Sequence, residues 1–265
     1  FIMVQEKLKN YIRELGLIPD KNELVTYVKN FIEDMEKGLK GADSSLKMIP
    51  SYLDIGNINN SQSCLVIDAG GTNLRVCTLN IDEKGQYEFE TFRKTVLPGV
   101  DKEYSKKDFF EYMYNFIEQD LKDHKKIGFC FSYPMEKFPN KDGKLIRWTK
   151  EIKAPEVVGS MIGTSLMDII EANTSIKIRA VLLNDTVASL FSGLSNYNQR
   201  DYVNHIGLIV GTGCNAAYVE DKNNIEKIKT DDGKYSQQVI NIESGNFNKL
   251  KITEIDRLLN EETQD

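Results

Sequence analysis

Val4, Leu8, Tyr11, Ile12 and Leu15 recur at three- and four-residue spacing, and Leu24, Val28, Phe31, Ile32 and Met35 resume that rhythm beyond Gly16 and Pro19. The period predicts helix over residues 3–39. Glycine, serine, proline and asparagine then mark 38–60 as a loop. Residues 64–68, 74–81 and 87–96 have strand character, and the turns Ala69-Gly70-Gly71-Thr72-Asn73 and Asp82-Glu83-Lys84-Gly85 join them as a run of hairpins. A helix over 106–121 and a buried strand over 127–131 follow, the strand ending at Ser132-Tyr133-Pro134. A loop with Pro139 and Gly143 leads to 145–149. Beyond it the pattern predicts helix over 157–172, strand over 177–183, helix over 187–194 and strands over 206–210 and 215–220. Strands and helices intermix, which makes the class α/β or α+β. The two strand-turn-strand units with glycine turns, 64–81 and 206–220, echo one another and suggest two related half-domains.

Composition narrows the partners. A chain of 265 residues allows one large or two ordinary domains, and 40% hydrophobic with 28% charged residues is enough to bury a core. Lys plus Arg number 34 against 40 Asp plus Glu, a net charge of −6, which argues against a dedicated nucleic-acid binder. The longest uncharged, apolar-leaning stretch, 206–219, is broken by Gly211-Thr212-Gly213 and is too short for a membrane span. Cys64, Cys77, Cys130 and Cys214 have no zinc-like spacing, so a reduced intracellular, cytoplasmic protein is expected. The first residues are Phe1-Ile2-Met3, which leaves a removed targeting segment open.

Three segments carry candidate chemistry. In Asp68-Ala69-Gly70-Gly71-Thr72-Asn73 a strand-end carboxylate precedes glycines that bare their N–H groups. Such a turn can nest a phosphate while Asp68 holds Mg²⁺ directly or through water; it can equally be a plain hairpin turn. Gly211-Thr212-Gly213-Cys214-Asn215 repeats the arrangement, as if the two turns clamped a phosphate chain. In Leu183-Asn184-Asp185-Thr186 a polar trio leaves an apolar strand and opens a helix, so Asp185 reads as an N-cap, a general base, or both. Ser132, Thr149, Asn184, Asn215 and Glu243 suit a polyhydroxylated ligand, because amides and carboxylates match pairs of hydroxyls. Lys150 reads equally as a solvated surface lysine, Trp148 as a core residue, and His124 and His205 as solvated.

At these residues the chain resembles the eukaryotic-type hexokinases. Residues 65–76 resemble their first phosphate motif, Lys47-Met48-Ile49-Pro50-Ser51-Tyr52 the segment before it, and 128–134 through Trp148-Thr149-Lys150 the sugar signature. Residues 183–188 resemble the motif with the catalytic aspartate, 211–216 the second phosphate motif, and Asn241-Ile242-Glu243-Ser244-Gly245 a later sugar-binding segment. The resemblance implies the two-lobed actin-like ATPase (ribonuclease H-like) fold, with residues 61–183 as the small lobe and 1–60 and 184–265 as an incomplete large lobe. It implies phosphoryl transfer from MgATP to the 6-hydroxyl of glucose or a similar hexose, the first step of glycolysis. In that scheme Asp185 takes the hydroxyl proton. Ser132, Thr149, Lys150, Asn184, Asn215 and Glu243 hold the sugar. Asp68, Gly70, Gly71, Thr72, Asn73 and Arg75, with Gly211, Thr212 and Gly213, face the nucleotide phosphates and Mg²⁺.

Departures from the family pattern accompany the match. Lys137 stands where glutamine is usual, Glu151 where glycine is usual and Ser244 where tryptophan is usual. Glu254-Ile255-Asp256-Arg257 resembles a mid-chain segment of hexokinases. The expectation is therefore an N-terminal portion that does not by itself phosphorylate glucose at an appreciable rate. A catalytically silent sugar-binding or regulatory protein on the same fold, or a kinase for another sugar, are the alternatives.

Overall fold

The computed structural model describes residues 2–53, 62–83, 86–149, 151–196, 204–211, 213–228 and 236–263. The predicted N-terminal helix is two helices, α1 (Ile2–Glu14) and α2 (Lys21–Lys40). Gly16 takes a left-handed φ of +73° between them. Asp20 then restarts the helix with a capping box, accepting the N–H groups of Asn22 and Glu23 while Glu23 accepts its own. In the stretch expected as loop, Ile49–Pro50 forms a short strand, β1.

Strands β2 (Gln62–Gly70), β3 (Asn73–Ile81) and β4 (Tyr87–Val96) form the predicted antiparallel run. Helix α3 (Lys106–Ile117) is capped by the Ser105 hydroxyl on the Asp108 N–H and continues as a 3₁₀ turn, Glu118–Asp123. Strand β5 (Lys126–Phe131) then pairs parallel with β2. The next two strands have three residues each, β6 (Met135–Lys137) and β7 (Gly143–Leu145), paired as a hairpin where the sequence promised only a loop. Helix α4 (Ile162–Thr174) begins five residues later than expected, behind a 3₁₀ turn at Pro155–Val157. Strand β8 (Arg179–Leu183) pairs parallel with β5, completing a five-stranded sheet in the order β4-β3-β2-β5-β8. Alternate residues of β2 and β3, among them Leu65, Ile67, Leu74 and Val76, join Phe109, Met113 and Ile117 of α3 and Leu166 and Ile170 of α4 in one core.

Helix α5 (Asp185–Asn196) leads toward the second sheet, made by β9 (Ile206–Val210), β10 (Cys214–Asp221) and β11 (Gln237–Asn241), with α6 (Glu254–Thr263) last. Its order is β1-β11-β10-β9, all antiparallel. The two echoing sequence units are thus one hairpin in each sheet, β2–β3 and β9–β10. On one face Val187, Leu190 and Leu194 of α5 pack on Ala217, Val219 and Val239. Gly207 lets β9 approach α5, since a Cβ there would lie 2.6 Å from the Thr186 carbonyl oxygen. On the other face Phe31, Met35 and Leu39 of α2 cover Ile240 and Tyr218, while Ile206, Leu208 and Val210 of β9 remain exposed. His124, read above as solvated, is buried: its ring nitrogens meet the hydroxyls of Ser63 and Thr78 at 3.0 and 3.3 Å. Partners on two strands let an imidazole leave water at little cost.

Candidate active site

β2, β5 and β8 are mutually parallel, so their carboxyl ends open on one edge of the sheet, the edge where open parallel sheets take ligands. Asp68 and Gly70 close β2, Ser132 follows β5, and Asn184 and Asp185 follow β8. The first glycine turn is a tight hairpin: Gly70 pairs with Asn73, and Gly71 adopts φ +65°, which a side chain resists. A Cβ on Gly70 would stand 3.2 Å from Asp68 Oδ1 and 3.3 Å from Ser132 Oγ, so bare backbone lets both side chains crowd the turn. Arg75, across the hairpin, donates from Nη1 to Asp68 Oδ2 at 2.5 Å. The Tyr133 hydroxyl donates to the Gly71 carbonyl at 2.5 Å, tying the segment after β5 to the turn after β2. The ring of Trp148 stands edge-on to Tyr133, centroids 4.7 Å apart, with its Nε1–H on the Ala154 carbonyl.

Asp185 does not cap α5. Asn184 precedes the helix, and its Oδ1 accepts the Thr186 N–H at 2.9 Å. Asp185 Oδ1 accepts the same N–H at 2.8 Å and the Thr186 hydroxyl at 3.3 Å, and no hydrogen bond to Oδ2 is recorded among the described residues. Cys130 lies among these groups, its Sγ 3.9 Å from Ser132 Oγ. Burial pushes its thiol up to about 12, and the charges of Asp68 and Asp185 push the same way. A thiol so held is not a nucleophile.

The second sheet supplies the far wall. Asn215 Nδ2 donates to Asn241 Oδ1 at 2.8 Å, and Asn241 Nδ2 donates to Glu243 Oε1 at 2.7 Å. Asn215 Oδ1 also accepts the backbone N–H groups of Ala216 and Ser244. Two buried or half-buried amides therefore present Glu243, which itself holds a left-handed φ of +59°. Strain of this kind in a non-glycine residue persists where surrounding contacts enforce it. Burial raises the Glu243 carboxyl above its ordinary 4.5, the nearby charge of Asp185 adds to the rise, and the Asn241 hydrogen bond opposes it. Ser51, Tyr133, Lys137, Asn184, Asn241 and Glu243 line a cavity of about 20 Å³ between the sheets, room for about one water.

Most of the expected constellation meets here. Thr149 is exposed, and among the described residues its side chain makes no hydrogen bond to this group; Lys150 and Thr212 lie outside the described residues. Gly211 and Gly213 form an exposed turn, the N–H of Gly211 on the carbonyl of Gly213 at 2.8 Å. Asn241 and Lys137 were not among the expected site residues. Asn241 had a signal, since it stands two positions before Glu243 at the end of a strand, where side chains alternate.

The family model described as Hexokinase matches residues 8–194, and a second model of that description matches 205–265. Hexokinase-2 of Schizosaccharomyces pombe is 33% identical over 255 residues, covering 89% of this chain and 54% of that protein. The hexokinase of Schwanniomyces occidentalis is 32% identical over 269 residues, covering 95% of this chain and 55% of that one. A hexokinase structure from Schistosoma mansoni, complexed with glucose, superposes with a TM-score of 0.68 at 27% identity over 90% of this chain and 55% of its own. The chain thus spans about half the length of the relatives it matches. With the two family matches running in order along the residues that build both sheets and the cleft edge between them, the chain belongs to the hexokinase family.

Proposed function

We propose that the protein containing this chain transfers the γ-phosphoryl group of MgATP to the 6-hydroxyl of a hexose, with glucose as the first candidate. The observation that carries this reading is the convergence of Asp68, Ser132, Asn184 and Asp185 at parallel strand ends opposite the amide-held Glu243. The cavity holds about one water, so a hexose would lie over its mouth, its hydroxyls meeting Ser132, Asn184 and Glu243. Asn215 would act mainly by shaping the Glu243 segment, because its amide oxygen is already committed to backbone N–H groups.

The donor set fits a phosphate and its metal. Gly70 leaves bare backbone beside Asp68 and Ser132 where a Cβ would crowd both side chains, and Asp68 keeps Oδ1 free of Arg75. Asp68 and the phosphates would hold Mg²⁺, which supplies charge neutralisation for the transferred group. Asp185 would accept the 6-hydroxyl proton as the oxygen attacks phosphorus, with Arg75 near the developing negative charge. Phosphoryl transfer asks mainly for such positioning. The test is glucose-dependent ADP formation by the full-length protein. Turnover on glucose or a related hexose is expected; sugar binding without turnover overturns the kinase reading.

Glu243 gives this site a pH signature. Sugar hydroxyls donate to the ionised carboxylate, so affinity is complete above the raised pKa and falls as pH drops through it. That loss should begin at higher pH than an ordinary glutamate would produce, its reference value being 4.5. The KM for glucose measured against pH should rise on the acid side, and Glu243→Gln should flatten the rise while weakening binding at neutral pH.

A further inference from the structure

β8 is the edge strand of the five-stranded sheet, and its last turn of backbone needs partners on the side away from β5. The β6–β7 hairpin supplies them at one residue. The Leu182 N–H donates to the Lys141 carbonyl at 3.0 Å. The Leu182 carbonyl accepts from Lys137 Nζ at 2.8 Å, and the same ammonium donates to the Lys141 carbonyl at 3.1 Å. One cation thus closes the ring between hairpin and strand. The hairpin is itself fixed, because the neighbouring Asp142 carboxylate holds the N–H groups of Gly143, Gly163 and Thr164 and the Thr164 hydroxyl. Leu182 stands two residues before Asn184 and three before Asp185, and the Lys137 side chain lines the same cavity as Asn184 and Glu243.

We propose that Lys137 is a positioning residue for the reacting centre, its ammonium fixing the end of β8 and through it the placement of Asn184 and Asp185. The inference rests on the phosphoryl-transfer reading above. Burial pushes the Lys137 ammonium down to about 8, with the Asp142 carboxylate opposing that shift. A cation kept at that cost, bonded to two backbone carbonyls, is consistent with a placement that a neutral apolar side chain would not reproduce. Displacement of a base by even 1 Å is expensive in rate.

The test uses the full-length protein with Lys137→Met, which keeps length and removes every donor. Expected are a fall in kcat of about tenfold or more, a smaller rise in sugar KM and an unchanged KM for ATP. Wild-type kcat and sugar KM in this variant overturn the proposal, even if its melting temperature falls. A rise in sugar KM alone also overturns it, in favour of direct sugar contact. If Lys137→Met does not fold, the same comparison is made with Lys137→Gln, whose shorter amide keeps a donor. There kcat between the wild-type value and that tenfold loss supports positioning, and wild-type values overturn it. An inactive wild-type protein would instead sink the phosphoryl-transfer reading itself.

Discussion

Asp185→Asn in the full-length protein is expected to lower kcat for glucose phosphorylation by about 100- to 10,000-fold while sugar binding survives. The substitution is selective because of how the start of α5 is built. Asn184, not Asp185, occupies the capping position and accepts the Thr186 N–H, so the helix keeps its cap. An asparagine Oδ1 can still accept from Thr186 as Asp185 Oδ1 does. What disappears is the ability of the second oxygen to take a proton. Steady-state kinetics beside calorimetric glucose binding separate these effects. A variant that keeps more than about a tenth of the wild-type kcat would move the base elsewhere, since general-base removal costs far more than that.

The largest effect on stability is expected at Asp142, well away from any bound sugar. Met161 occupies the N-cap position before helix α4, and its side chain caps nothing. The missing cap comes from across the fold: Asp142 Oδ1 accepts the N–H groups of Gly143 and Gly163, and Oδ2 accepts the N–H and hydroxyl of Thr164. The residue is only 3% exposed, so water does not replace those bonds. Asp142→Ala should destabilise the fold by about 3 kcal/mol, the range for a lost cap plus buried donors left without acceptors. Asp142→Asn should rescue part of this: with its NH₂ group toward Thr164 the hydroxyl can turn to accept, which leaves the Thr164 N–H as the one donor facing a donor. Denaturant midpoints measure both, and a loss below about 1 kcal/mol, the scale of an ordinary exposed cap, would contradict the account.

Legibility in the sequence followed the length and regularity of each element. Strands β2, β3, β4, β5 and β9 carried enough alternating or continuous apolar residues to be placed within two residues of their observed ends. The hairpin of β6 and β7 has three residues per strand and is stabilised by the buried Asp142 and by Lys137, contacts between residues up to 45 positions apart that no local pattern records. β1 exists only because it pairs with β11. The site was legible as motifs, and resemblance supplied the roles. How its residues touch was not legible: the Asn215–Asn241–Glu243 relay spans two strands of the second sheet, and the Asp68–Arg75 pair is set by hairpin register. The capping of α5 by Asn184 rather than Asp185 turned on a one-residue shift in the helix start, the least predictable feature of any helix.

The contact of Trp148 with Tyr133 also gives the chain an optical readout. Trp148 is its sole tryptophan, and the neighbouring tyrosine holds the Gly71 carbonyl through its hydroxyl. Any ligand that shifts the first glycine turn, or that engages Thr149 beside the indole, alters the surroundings of that one chromophore. On the hexose reading proposed above, tryptophan emission of the unmodified 265-residue chain should titrate with sugar whether or not phosphate is ever transferred, reporting occupancy independently of turnover.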